Sequence, residues 1–336
     1  MLGTFRLILA LLVALSHAGV AIAGFNPGVV AVVCFYLISG YVMTGLLRDH
    51  YASIGRIPHF YLDRALRLFP QYLVICAMTL AWFLATERHT AFLQHAPQWS
   101  DLAANLSVVP LNYFMFNGTD KFTLIPPAWS LGAEIQFYLL IPLLLLFRLR
   151  LLAFLVGLAV FAAAAWGRLH TDTFGYRLLP GVLVFFLLGS ALYDARNTRG
   201  SRGLVIVVAG VLAAMAFAFV LSHFGKLMSP YNPETLIGLA IGLPLVYWLG
   251  KLPQQALDNR LGDLSYGVFL NHFLIQWGWI GEPAGVAEFS AYLAASIVLS
   301  ALTQRLVERP VLRWRKGLRA QEESRVGRAQ RNPPSA

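Results

Sequence analysis

About ten stretches of this 336-residue chain are apolar for long enough to enter or cross a lipid bilayer. They cover approximately 5–23, 28–47, 69–86, 127–147, 149–166, 178–194, 203–222, 235–250, 262–280 and 287–307. Composition agrees: 58% of residues are hydrophobic and 12% charged, against roughly a quarter charged in a soluble domain. The predicted fold is therefore all-α, a polytopic integral membrane helical bundle with about ten transmembrane helices. One membrane domain is expected over 1–316, followed by a cytoplasmic tail over 317–336. That tail is polar, charged and Pro-ended, a composition that predicts disorder.

Lys and Arg set the orientation, because cytoplasmic loops accumulate them. With the N-terminus inside, 21 of the 26 basic residues fall in inner segments. The outer side keeps Arg88, Lys121, Arg168, Arg177 and Lys226. Both termini are thus predicted to be cytoplasmic in a multi-pass protein. The longest loop, 87–126, is predicted outside; its stretch NLSVVPLNYFMF is expected at the interface or folded back into the protein.

The net charge of +10 would suggest nucleic acid in a soluble protein, but here it belongs to the basic loops, and no nucleic-acid partner is expected. Cys34 and Cys76 lie far apart in apolar stretches, with no metal-type spacing, and read as buried core thiols. There is no Walker loop, no Cys/His cluster and no dinucleotide fingerprint. No metal is expected.

Ionisable side chains inside apolar spans are costly and point to function. Three stand out, His17, Glu134 and His272. At 1.5 Å per residue they are predicted roughly 9, 10 and 12 Å below the outer surface, in one layer. A carboxylate near a neutral imidazole makes a general base for a hydroxyl proton; the structural alternative is a hydrogen bond holding helices together. Near the opposite surface, Arg64 and Arg67 in RALRLFP share one helical face, with Arg6 on the same side. Guanidinium forks match phosphate oxygens, although a lone pair of arginines also serves as a positive-inside anchor. Glu308 is a candidate ion-pair partner for either. Ser39 and Gly40 fall near mid-bilayer, where small residues permit close approach. Trp129 has the character of an interfacial anchor.

Six stretches, in order, resemble the acyltransferase-3 family of integral-membrane O-acyltransferases. Arg6 and His17 match its basic residue, ten residues, then histidine; FYLISGY is similar to FF-x-x-SG-[FY]; RALRLFP matches Arg-x-x-Arg with a following proline. WSLGAEIQFYLLIP, with Trp129, Ser130 and Glu134, resembles W-S-L-x-x-E-x-x-F-Y-x-x-x-P. LGDLSYGVFLNH, with Tyr266 and His272, resembles LG-x-x-SY-x-x-[FY]-L-x-H, and VERP the late E-[RK]-P. The acid that often precedes the SG motif is missing from GVVAVVCFYLISG, and the added esterase-like domain of many relatives is not expected after the last span.

The resemblance implies transfer of an acyl group, usually acetyl, from cytoplasmic acetyl-CoA or another acyl-CoA to a hydroxyl of an extracytoplasmic or lipid-linked glycan, such as an exopolysaccharide or O-antigen. It implies CoA phosphates on Arg6, Arg64 and Arg67, His17 as base, and Glu134 orienting it or holding the acceptor. Ser39, Trp129, Ser130, Tyr266 and His272 would be substrate or structural support. Direct transfer and an acyl-enzyme on Ser39 or Ser130 both remain open. Membrane lipids are implied partners, and a homo-oligomer is allowed. The first span also reads as a cleavable signal, with AIA before Gly24; the resemblance favours its retention. The rival reading is a transporter or flippase with His and Glu as a proton relay, but no internal repeat or pair of broken helices marks one.

The charge bias makes a direct prediction. A reporter fused at residue 110 will face the extracytoplasmic side, and one at either terminus the cytoplasm; residue 110 inside would overturn the orientation.

Overall fold

The structure is a computed structural model, described here for residues 1–196, 201–253, 255–278, 283 and 285–314. The expected tail 317–336 lies outside the described residues. Twelve α-helices follow one another: α1 Leu2–His17, α2 Pro27–His50, α3 Ile57–Thr86, α4 Trp99–Ser107, α5 Phe114–Asn117, α6 Ala128–Leu146, α7 Arg150–Ala165, α8 Leu179–Ala195, α9 Arg202–His223, α10 Asn232–Lys251, α11 Ala256–Gly278 and α12 Gly285–Thr303. Among the described residues there is no sheet, only isolated bridges. Each of the ten apolar runs carries a helix. Seven helical segments are long and apolar enough to cross a membrane by length and composition. The shorter helices α1 and α7 have 16 residues each, and α11, although 23 residues long, is interrupted by polar residues. This is a multi-pass membrane protein.

α2 is the central helix, packed against α1, α6, α8 and α10. Gly40 and Gly189 let α2 and α8 meet backbone to backbone: a Cβ on Gly40 would collide with the Phe186 carbonyl, and one on Gly189 with that of Leu37. Close approach of this kind maximises dispersion contacts where the hydrophobic effect cannot drive helix association. α9 and α12 lie at the periphery, with only 17% of each span window buried. Both cysteines are buried and unpaired. The 87–127 connection folds back on the bundle. It buries Leu93, Asn105, Leu111 and Phe122, and Asn105 donates to the Phe122 carbonyl and accepts from Leu124 N–H.

α1 ends earlier than its composition suggests. The apolar run continues to residue 23, yet the helix stops at His17. Gly19 and Gly24 take φ of +85° and +82°, and the chain turns through a bridge between Ile22 and Phe25. Those left-handed conformations suit glycine and end a helix. Asn26 then caps α2, accepting from Gly28 N–H at 2.9 Å and Val29 N–H at 3.2 Å. It also accepts from the Ser16 hydroxyl at 2.6 Å, which ties the two helix ends together.

α1 and α11 run in parallel and are joined near both ends. At one end the buried Asp258 carboxylate accepts from Gly3 N–H at 3.0 Å, Thr4 N–H at 2.8 Å and the Thr4 hydroxyl at 2.8 Å. Burial alone would raise the Asp258 pKa; these hydrogen bonds more than offset it and hold the carboxyl below the usual carboxylate range. A depressed carboxyl stabilises the fold above its unfolded pKa, and that contribution is lost as pH falls through the folded value. Asp258→Ala will leave two helix N-terminal N–H groups unpaired and destabilise the protein by about 1–3 kcal/mol. Thermal unfolding in detergent checks this; an unchanged midpoint would show that the cap contributes nothing.

Candidate active site

Two cavities enter the bundle from opposite ends and share a wall. The first brings Arg6, Arg64 and Arg67 together. Ser39, Ser130, Glu134 and Tyr266 line it as well. The second is lined by His17, Asn26, Trp129, Ser130 and Arg177. Val32, Ser130 and Phe269 belong to both. The two recesses therefore meet at a waist of one valine, one serine and one phenylalanine.

In the arginine cavity the cations come from two helices. Arg6 is on the first turns of α1, and Arg64 and Arg67 are one turn apart on α3. Arg64 pairs with its neighbour Asp63. Arg67 pairs with Glu308 and stands 4.0 Å from Asp263. The buried carboxylates hold both guanidinium groups at the cavity wall. Arg6 has no ion-pair partner among the described residues. Three cations converging on a recess between helices are chemically suited to a polyanion.

The histidine cavity is organised by an imidazole pair. His17 Nδ1 lies 2.9 Å from His272 Nε2, and the rings are parallel within 4° at a centroid distance of 5.1 Å. His272 is fully buried, with its Nδ1 3.0 Å from the Val268 carbonyl. That carbonyl only accepts, so His272 Nδ1 carries the proton. With both rings neutral, His272 Nε2 is then an acceptor, and His17 Nδ1–H donates to it. The remaining nitrogen of His17, Nε2, is left with its lone pair, in a ring that lines the cavity. The arrangement prepares His17 to accept a proton from a hydroxyl.

The expected single layer of His17, Glu134 and His272 is not what the structure contains. His17 stands at the end of α1, not six residues inside it, because the left-handed Gly19 stops the helix. His17 and His272 share a level by direct contact. Glu134 lines the arginine cavity instead and accepts from the Tyr138 hydroxyl at 2.6 Å. The group that orients His17 is His272, not Glu134. Trp129 lines the histidine cavity rather than standing only as an outer anchor. Ser130 donates to the Pro127 carbonyl at 3.0 Å, and Tyr266 to the Leu68 carbonyl at 2.9 Å.

Sequence reasoning passed over Arg177. Its guanidinium lies 4.5 Å from the Trp129 ring centre and 5.1 Å from that of Phe114, and Nε donates to Asp172 at 2.7 Å. As one of five basic residues assigned to the outer side, directly before an apolar run, it carried a signal in its isolation.

The chain is similar in sequence to known acyltransferases. The acyltransferase-3 family profile, described as an acyltransferase domain, matches residues 2–305. Nodulation protein 10 of Rhizobium leguminosarum bv. viciae is 26% identical, over 89% of this chain and 85% of its own. Peptidoglycan O-acetyltransferase OatA of Listeria monocytogenes is 25% identical over 84% of this chain, which spans about half, 51%, of OatA. Acyltransferase MdmB of Streptomyces mycarofaciens is 26% identical over 85% of this chain and 81% of its own. No solved structure matches.

The hydrogen-bond chain makes its own prediction. Nitrogen NMR of histidine-labelled protein will find His17 protonated at Nδ1 and bare at Nε2, and His272→Phe will convert it to a mixture of tautomers. A proton on His17 Nε2 in the parent at neutral pH would refute the chain.

Proposed function

The chain belongs to the acyltransferase-3 family, and from that premise we propose that this O-acyltransferase moves an acetyl or other short acyl group across the membrane, from acyl-CoA to a glycan hydroxyl. The observation that carries the reading is the meeting of the two cavities. One is cationic and the other presents a proton acceptor, and they have three lining residues in common.

The basic end is read as cytoplasmic, in a bacterial inner membrane with both termini on that side. CoA phosphates would bind Arg6, Arg64 and Arg67, displacing or sharing their carboxylate partners. The pantetheine arm would follow the α2 wall past Ser39 and bring the thioester to the waist. The acceptor would enter the histidine cavity from outside, against Trp129 and Arg177, with aromatic faces and a planar donor suited to a sugar ring. The names of OatA and its relatives support an O-linked acceptor.

His17 Nε2 would take the hydroxyl proton as oxygen attacks the thioester carbon, and the imidazolium would return that proton to the departing CoA sulfur. His272 acts through His17 as a positioning residue, keeping the lone pair on the cavity side. Glu134, on the donor side, would serve the thioester arm rather than the base. Direct transfer fits the arrangement better than an acyl-enzyme, because the Ser130 proton is already committed to the Pro127 carbonyl and among the described residues no base is hydrogen-bonded to the Ser39 hydroxyl.

Purified protein with labelled acetyl-CoA and an acceptor glycan tests the reading. His17→Gln keeps a hydrogen bond but cannot take the proton, and will lower turnover on the order of 10²–10⁴-fold with protein level unchanged. The donor site is best probed at Arg6, because Arg64→Ala or Arg67→Ala would strand a buried carboxylate. Arg6→Ala will weaken acyl-CoA binding by about 1.5–3 kcal/mol. Full activity in His17→Gln would remove the base, and unaltered CoA affinity in Arg6→Ala would remove its phosphate contact.

A further inference from the structure

Six hydroxyl-bearing residues line the arginine cavity: Tyr36, Ser39, Ser130, Tyr138, Ser265 and Tyr266. Each hydroxyl has a single proton to donate. Ser130, Tyr138 and Tyr266 give theirs to the acceptors described above, and Ser265 donates to the Gly262 carbonyl at 2.7 Å. Ser39 has no well-aligned partner, but lies close enough to Tyr138 to interact with its hydroxyl. The Tyr36 hydroxyl is buried and has no hydrogen-bond partner among the described residues, on a residue only 3% exposed. Buried polar groups are almost always paired, so an orphan in a cavity wall marks where a ligand atom belongs.

Its place is specific. Val32 belongs to both cavities, and Tyr36 is one turn of α2 further into the arginine cavity, about 6 Å along the helix. His17 lines the other side of the waist. The ring of Tyr36 packs on Phe186, centroids 4.6 Å apart, and the Phe186 backbone is the surface against which Gly40 fits. The phenol is therefore held by the tightest helix contact described above.

We propose that Tyr36 is a catalytic residue whose phenolic O–H donates to the thioester carbonyl oxygen and stabilises the charge that develops there. This rests on the acyl-transfer reading of the two cavities. The acceptor oxygen forms a bond to the carbonyl carbon as His17 Nε2 removes its proton. The carbonyl π pair moves onto oxygen, where the Tyr36 proton hydrogen-bonds to it without being transferred. When the pair returns, the carbon–sulfur bond breaks, and the thiolate takes the proton from His17. The products are the O-acyl ester and free CoA. A fixed donor aimed at developing charge in a water-poor site stabilises the transition state more than the ground state.

The test is Tyr36→Phe in the full-length protein, with acetyl-CoA as probe. Turnover will fall on the order of 10²-fold, while KM for acetyl-CoA and protein level stay near the parent's. Difference infrared spectra of carbonyl-labelled acetyl-CoA will show a carbonyl stretch lowered on binding to the parent and returned toward its free value in Tyr36→Phe. A packing role would move neither the stretch nor turnover alone. An active parent matched by Tyr36→Phe in turnover and spectrum would overturn the assignment and leave the acyl-transfer reading intact. A parent that turns over no acyl-CoA would sink that reading, and this assignment with it.

Discussion

The register of α1 against α11 is the constraint on which the rest depends. The two helices run side by side in the same direction. Asp258 holds the start of α1, and 14 residues further along α11 His272 holds its end. At 1.5 Å per residue the two contacts lie about 21 Å apart on both helices. A slip of one turn, about 5.4 Å, would break both contacts. In a bilayer, where apolar side chains slide against lipid and helix alike at little cost, polar contacts at two points fix a position that Leu and Val cannot. His17 is thus set both in height and in tautomer by the same neighbour.

α2 carries the second half of the arrangement. Its glycine contact with α8 fixes the wall that both cavities share, and its other side meets α1 through Asn26 and Ser16. The donor side is held differently, by carboxylates. Asp63 and Glu308 keep Arg64 and Arg67 at the cavity surface, and neutralise charges that would otherwise be buried alone. If donor phosphates bind there as proposed, Arg64 and Arg67 would each exchange a protein carboxylate for a phosphate oxygen, and binding would depend on the difference between two ion pairs rather than on one.

Much of the helix order was legible in the chain, because a run of apolar residues states its own length. The end of α1 was not. AGVAIA remains apolar after His17, so hydropathy runs on, while the glycine that stops the helix acts through backbone dihedrals that composition does not express. The grouping of Arg6 with Arg64 and Arg67 was readable from charge and helical spacing. The His17–His272 bond, between residues 255 apart in sequence, was not, and Glu134 was placed beside His17 because estimated depth along a span says nothing of which cavity a side chain enters. Tyr36 was hidden for a further reason. Whether a hydroxyl has a partner is a property of the packed bundle, and the FYLISGY stretch around it does not express that.

The narrow waist has an electrical consequence. A protein hollowed from both faces of an energised membrane risks becoming a conductor. Moving one elementary charge across 100 mV releases about 2.3 kcal/mol, so a continuous file of water between the recesses would let protons run down the gradient. Val32 and Phe269 offer no hydrogen bond to such a file, and the Ser130 hydroxyl is turned to a backbone carbonyl. If an acyl carbon passes between the recesses as proposed, the same partition would serve as insulation against protons following it.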